Sequence, residues 1–455
     1  MDIGRMDNLK MIWHNQLDGD SFRKLKSLQV YRCQKLLTLF PSNICGRVLS
    51  LESLDVNSCE SLEGIFDLQG IISEERNSIA ATQSRELCFS NLQESEVYRC
   101  QSLKYLFAAS NNVANDDYSP KFLFPKLTSL DLHELREFRS FYPGRHTVEG
   151  SVLKMLKLSD CFIHDTDEEG QTQMQQPFFF VEQAFPCLEG LRLLGKNIMM
   201  MWQGQVPESL FVKLKILEVR DDDSTNLPLC IIQRFQNLET LSLVFSSYKE
   251  IFSNGEDQTR VAAPTKIKTL YLSQLDDLKY MWKQNFKLDL ILQNLEALNI
   301  WGCNSLINVM PPSASFQNLT VMEVEGCSSL INIGTSSAAK SLVQLTQMRI
   351  EKCKKITEVV GNHGDVTEDE IIFPKLKSLS LLDLPSLTSF CSWNNDSEDY
   401  DLEDRSDSSE SLEMLKEDNE LNKATQQLDD EANVQSSIKD CEGSSSRHLE
   451  RGDPV

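Results

Sequence analysis

One phrase returns along this chain and limits what it can fold into. Residues 324–333 read "VEGCSSLINI"; one step earlier the chain reads "IWGCNSLINV", and one step later "IEKCKKITEVV". Aligned on that phrase, the sequence falls into thirteen units. Most follow one template: an aromatic or aliphatic residue, then L-x-x-L-x-L/V/I-x-x-C, then x-x-L-x-x-I/L/V/F. Good copies are "FRKLKSLQVYRCQKLLTLF" from Phe22, "FSNLQESEVYRCQSLKYLF" from Phe89 and "FQNLTVMEVEGCSSLINI" from Phe316. Successive units step by 24 to 41 residues, the longer steps carrying polar inserts. Self-similarity at that period belongs to a stacked array, in which each unit buries its apolar face only against its neighbours.

The L-x-L pair has period two, so its side chains point inward from a short strand while the residues between point out. The flanking leucines at three-residue spacing suit a turn or a short helical segment running back behind the strand. The expected fold is therefore an α/β solenoid that resembles a leucine-rich-repeat protein: curved, with a parallel sheet on the concave face and short helices or turns behind. Its expected limits are 22–393, about thirteen repeats. Residues 1–21 read as a partial leading repeat, because "MDNLKMIWHNQ" matches the back half of an internal unit at 275–285, "LDDLKYMWKQN".

After Trp393 the composition changes. Residues 394–455 hold 19 acidic and 6 basic side chains, a net −13 of the whole chain's −23. A segment this polar cannot bury enough apolar surface to offset its chain entropy, so a disordered acidic tail is expected, with a short amphipathic helix at 410–421 as its one candidate element. Such acidity argues against nucleic acid or an anionic membrane as the partner. With no leader at Met1 and no apolar run of about eighteen residues, the expected compartment is the cytoplasm. There the thirteen cysteines are expected as reduced thiols. The glycosylation triplets at Asn318 and Asn395 and the closing "RGD" carry no meaning in that setting.

Seven cysteines, Cys33, Cys59, Cys100, Cys161, Cys303, Cys327 and Cys353, fill the same slot, at the point where the chain leaves the strand. A catalytic thiol does not recur in every other unit. A compact, apolar, weakly donating side chain suits a buried structural ladder at a turn that exposes backbone groups. Leu135, Leu275 and Leu384 take the slot elsewhere, so burial matters there more than sulfur chemistry.

The chain holds no phosphate-cradling G-x-x-x-x-G-K-[ST], no G-x-G-x-x-G after a strand, no H-E-x-x-H and no G-x-S-x-G. Its six histidines are scattered, and His164 with Asp165 and Asp167 sits in a polar insert that reads as a solvated loop. No enzyme, cofactor or metal is expected. What remains is surface. The outward residues of the register include Gln29, Tyr31, Arg32, Asp55, Glu96, Tyr98, Arg99, Arg220, Phe245, Tyr271, Trp301, Glu323, Glu325, Arg349 and Glu351. Aromatic and arginine side chains concentrate binding energy, which makes these the candidate protein-contact set.

The leucines, the cysteine slot, the "FPKL" starts at Phe124 and Phe373 and the phrase "CESLEGIFDLQG" at 59–70 resemble the C-terminal repeats of plant intracellular immune receptors, the coiled-coil, nucleotide-binding, leucine-rich-repeat disease-resistance proteins. The resemblance covers about residues 1–393. It implies binding of a pathogen effector, or of a host protein the effector alters, and contact with a nucleotide-binding module of a longer receptor. This sequence contains no such module, so a truncated member is expected. The alternative on the same fold is a generic intracellular scaffold or substrate adaptor.

Overall fold

The computed structural model describes residues 1–13, 21–45, 48, 50–68, 86–108, 120–143, 146–159, 185–195, 198, 211–228, 232, 234–253, 265–281, 293–310, 315–361 and 371–391. Two units are distinguished, Met1–Trp393 and Asn394–Val455, and every described residue belongs to the first. The expected tail, its candidate helix, the His164 insert and Cys161 lie outside the described residues.

Among the described residues fourteen strands form one parallel sheet in strict sequence order, from Asp2–Gly4 and Ser27–Tyr31 through Ala297–Trp301, Val321–Glu325 and Gln347–Glu351 to Ser378–Leu382. Each internal unit contributes one five-residue strand in the same register, so Leu298 lies beside Met322 and Met322 beside Met348. The Asp2–Gly4 strand, within the segment read as a partial repeat, joins the ladder through Ile3 beside Val30.

The second and fourth residues of the internal strands are the L-x-L pair, with Ser95 the polar exception. Leu28, Val30, Leu298, Ile300, Met322, Val324, Met348 and Ile350 are all buried against the neighbouring coils. Burying one such side chain contributes about 1.5–3 kcal/mol, and the stack repeats the gain unit after unit. The aromatic residues of several units add a second stack: Phe40 on Phe66 (5.0 Å), Phe66 on Phe107 (5.3 Å) and Phe107 on Phe122 (3.9 Å between ring centroids).

The return path differs from the helices or turns expected. Short parallel strands run behind the main sheet in four groups, for example Asn308–Met310, Asn332–Thr335, Glu358–Gly361 and Ser389–Cys391. Only two helical turns are described in full, Ser42–Cys45 and Ser336–Ala339. The physical reason lies in composition. These segments read "INV", "INIG" and "EVVG", and β-branched side chains favour an extended, half-buried surface. Close backbone approach assists at Gly334, where a Cβ would meet Met310 at 2.7 Å.

At the strand exit one backbone device repeats. The residue after the fifth strand position takes a left-handed φ of 48–64° in Arg5, Arg32, Ser58, Arg99, Glu134, Asp221, Phe245, Gln274, Gly302, Lys352 and Asp383, and 71° in Gly326. Its N–H then donates to the carbonyl of the next strand's fifth residue: Arg32 to Asn57 (2.9 Å), Gln274 to Trp301 (2.8 Å), Gly326 to Glu351 (2.9 Å) and Lys352 to Leu382 (3.0 Å). The ladder is thereby carried one rung past the strand.

The cysteines bond to those same carbonyls. Cys33 donates to Tyr31 O (3.7 Å), Cys59 to Asn57 O (3.6 Å), Cys100 to Tyr98 O (3.5 Å), Cys303 to Trp301 O (3.8 Å), Cys327 to Glu325 O (3.7 Å) and Cys353 to Glu351 O (3.3 Å). Each of these exit carbonyls therefore accepts one N–H from the preceding unit and one thiol from its own, which uses both lone pairs. Burial pushes the Cys33 thiol up and takes Cys303 to about 12. For Cys100 the hydrogen bond with Cys59, and then burial, acts in the same direction. Only a thiolate attacks an alkylating reagent. In the native protein, N-ethylmaleimide followed by peptide mass mapping should modify exposed Cys88 well before Cys33, Cys100, Cys303 and Cys327. Equal rates would contradict the buried ladder.

Candidate protein-binding face

The outward residues of the ladder are the first, third and fifth of each strand, together with the exit residue. Tyr31, Tyr98, Arg220, Trp301 and Glu325 stand at the fifth position; Glu96, Tyr271, Glu323 and Arg349 stand at the third. Arg32, Arg99 and Phe245 lie one residue beyond their strands, in the left-handed turn. The register therefore distributes the candidate set over two rows of the sheet face and the turn that borders it.

In the centre of the face four of these side chains form two contacting pairs in consecutive units. Arg220 lies over the Phe245 ring, 5.1 Å from its centroid, and Tyr271 meets Trp301 edge-on at 5.4 Å. Phe245 is 51% exposed and Trp301 40%, so both present their rings to solvent. Arg220 is oriented from below by Glu218 (3.0 Å), which also holds Arg192 (2.9 Å). A guanidinium held by a carboxylate and spread on an aromatic ring loses little freedom on binding, the property that suits arginine to contact sites.

Toward the last units the face becomes an ionic lattice. Glu323 accepts from Gln347 (2.9 Å), and Glu325 pairs with Lys352 (2.6 Å). Arg349 grips Glu351 with both ends of its fork, at 2.7 and 2.8 Å, and Ser380 adds a third donor at 3.1 Å. Glu351, expected to face outward, is instead buried at 6% exposure. The fork explains the difference: it covers the carboxylate, satisfies both oxygens and holds the group below the usual carboxylate range.

Toward the first units, Asp55, Glu96 and Asp131 sit side by side on three neighbouring strands. Lys157 reaches Asp131 at 3.0 Å. Like charges directly opposite on adjacent strands oppose folding. Burial raises the carboxyl of Asp55, and burial, then Asp131 and Asp55, raise that of Glu96 against the opposing pull of Lys157 and His133. Nearby, Tyr31 lies over Gly4 and the Asn57 amide donates to the Tyr98 hydroxyl, which fixes both rings in the row. Arg99 pairs with Glu134 at 2.9 Å beside His133.

One cluster escapes the repeat template altogether. In the units of strands Ile216–Arg220 and Thr240–Val244 the cysteine slot holds Asp222 and Ser246, each 4% exposed. Ser246 Oγ donates to Val244 O (3.1 Å), as a cysteine would, and accepts the Asp222 N–H (3.1 Å). The Asp222 carboxylate accepts from the buried Tyr248 hydroxyl (2.5 Å) and from Ser224 Oγ (2.7 Å). Counting two residues past each strand would have found it. Among the described residues no group of three or more His, Cys, Asp or Glu could hold a metal ion, and no helix is long and apolar enough to cross a membrane.

With the ladder and its face in view, the comparisons decide the family. Residues 2–87, 187–315 and 315–401 match the family described as plant disease resistance protein RPS2-like, leucine-rich repeats, which is more than half of the chain. The chain belongs to that family. The expected leucine-rich-repeat solenoid, and the resemblance to the repeats of plant disease-resistance receptors, are both borne out. No curated protein matches the chain. Among solved structures it is similar to the TLR13 chain of a TLR13–ssRNA13 complex, at 16% identity and a TM-score of 0.31, covering 82% of this chain and 61% of that one. It is also similar to a chain of the Toll–Spatzle complex from Drosophila, at 15% identity and a TM-score of 0.29, covering 78% and 54%. The chain thus spans little more than half the length of either, and at these scores neither likeness bears on its function.

The raised carboxyls make a specific prediction. Their folded pKa lies above the unfolded value, so the charged forms cost stability at neutral pH, and that stability is regained as pH falls through the carboxylate range. Glu96→Gln should raise the unfolding free energy at pH 7, and with it the melting temperature, by no more than about a few tenths of a kcal/mol given its solvent exposure, with the advantage vanishing near pH 4. A lower melting temperature at pH 7 would contradict the like-charge reading.

Proposed function

We propose that this chain is the protein-binding repeat region of a plant intracellular immune receptor, and that its sheet face recognises a pathogen effector or a host protein altered by one. The observation that carries the reading is the group Arg220, Phe245, Tyr271 and Trp301. These residues lie on consecutive units of a disease-resistance repeat array, aromatic and cationic, with two of the rings strongly exposed. A sheet face gains nothing for its own stability by presenting a tryptophan and a phenylalanine to water; a binding face gains desolvated area at low entropic cost.

The mechanism is recognition without catalysis. The rigid ladder holds one side chain per row per unit, about 4.8 Å apart, so a ligand is read over several units and affinity accumulates along the face. Glu323 and Glu325 border the aromatic centre on the next strand, Glu96, Tyr98 and Arg99 lie four strands before it, and together they set which charges a ligand must bring. Tyr31, Arg32 and Arg349 extend the same face toward the two ends of the array. A cytoplasmic location and contact with a nucleotide-binding module belong to the same proposal, supported by the family match.

Tyr98→Ala, Tyr271→Ala and Trp301→Ala combined should weaken capture of an effector or effector-modified protein by about two orders of magnitude or more, since each buried aromatic anchor contributes about 2 kcal/mol. The melting temperature should remain near that of the parent chain, because none of the three lies in the core. Undiminished capture measured by titration calorimetry would remove the face from the mechanism.

A further inference from the structure

Among the described residues the last strand of the fourteen-stranded sheet, Ser378–Leu382, pairs on one side with Gln347–Glu351, and no strand pairs with its other edge. Its side chains break the pattern of the ladder. The second and fourth strand residues of the three units before it are fully buried, whereas Leu379 is 47% exposed, Leu381 is half-buried, and Leu382 and Ile372 join them at 55% and 61%. Proteins blunt such edges with lysine, proline or a bulge within the strand; "SLSLL" has none of these.

The backbone at this edge is set for another rung. In the units before it the exit N–H donates to the next strand's fifth carbonyl, and Asp383 holds the same left-handed φ of 53°. In those units, too, the carbonyl just before the strand accepts two N–H groups from its successor. Glu296 O receives Thr320 and Val321 (2.8 and 3.1 Å), and Thr346 O receives Lys377 and Ser378 (2.8 and 3.1 Å). The next members of these two series are the Lys377 carbonyl and the Asp383 N–H.

Charge specifies the occupant. The residues just before the strands form ion pairs between neighbouring units: Lys26 with Glu52 (2.9 Å), Lys215 with Glu189 (3.3 Å) and Lys268 with Glu296 (3.7 Å). Lys377 occupies that row in the last unit. A segment that continued the ladder would place a carboxylate beside Lys377 and two apolar side chains over Leu379 and Leu381.

We infer that the Ser378–Leu382 edge is a second docking surface, separate from the sheet face, which takes an extended segment of a partner protein with the pattern Glu-x-Leu-x-Leu or Glu-x-Leu-x-Ile as a further parallel strand. Main-chain bonds at Lys377 and Asp383 supply affinity, and the Glu–Lys377 pair with the apolar contacts supplies register and specificity.

The test uses the full chain and a fluorescein-labelled synthetic peptide, NLEALNIWG, which carries the pattern in its natural ladder form. Fluorescence anisotropy should show saturable binding, and hydrogen exchange should show added protection at the Asp383 amide in the complex. Lys377→Glu should weaken binding about threefold to fivefold, the size of one exposed ion pair, and a peptide with lysine in place of its glutamate should recover it. Leu379→Asp should weaken binding about tenfold or more. The variant lacking Tyr98, Tyr271 and Trp301 should bind the peptide like the parent chain, which separates this surface from the sheet face. Absence of saturable binding, or binding indifferent to both Lys377→Glu and Leu379→Asp, would overturn the inference. So would concentration-dependent self-association that consumes the edge without peptide, because it would give the edge to a second copy.

Discussion

The structure depends on one exit bond, from the N–H just past a strand to the carbonyl that ends the next strand. At the end of twelve described strands the chain leaves the sheet through a left-handed residue that is rarely glycine. That conformation costs of order 1 kcal/mol or more for a residue with a side chain. It persists because it aims the exit N–H at the neighbouring carbonyl, and in the units with cysteine or Ser246 a small buried donor two residues past the strand also bonds to its own unit's carbonyl. Cysteine fills that place in six described units. Its sulfur matters less than its size and its single weak donor, and Ser246 makes the same bond with oxygen. The ladder's register, and with it the row-by-row order of the sheet face, rests on this turn.

The deviant units show what the slot demands. Asp222 would be costly in such a place alone, since a buried carboxylate needs several donors. Tyr248, Ser224 and the neighbouring Ser246 provide a compact polar set around it, and Tyr248 is held protonated by burial and by the adjacent carboxylate. This network belongs to the same two units that carry Arg220 and Phe245. Phe245, exposed on the sheet face, directly precedes Ser246 in the chain.

Much of the fold was legible because two signals are local. The L-x-L alternation marks strand and inward face together, and the recurring cysteine marks the exit. Other features were hidden for physical reasons. Leucines three apart are compatible with a turn, a helix or a short strand, so the return strands such as Glu358–Gly361 became visible only through their neighbours. A left-handed Arg32, Arg99 or Phe245 carries no compositional mark, and each lies one residue beyond the strand on which the register places it. Glu351 points outward by register yet is buried, because the Arg349 fork closes over it, a contact decided by side-chain length rather than by period. Asp222 and Ser246 escaped because polar residues in an apolar slot interrupt the pattern used to find the slot.

Native-state hydrogen exchange of the exit amides tests the central claim most directly. Arg32, Ser58, Arg99, Phe245, Gln274 and Lys352 lie in turns, where an unbonded amide exchanges freely. If the exit N–H is a true rung of the ladder, these amides will exchange as slowly as those of the adjoining strands and will be lost only with global unfolding. Fast exchange at these positions beside slow exchange at Val30, Val97 and Ile300 would contradict it, leaving the strands paired but the exit turn free.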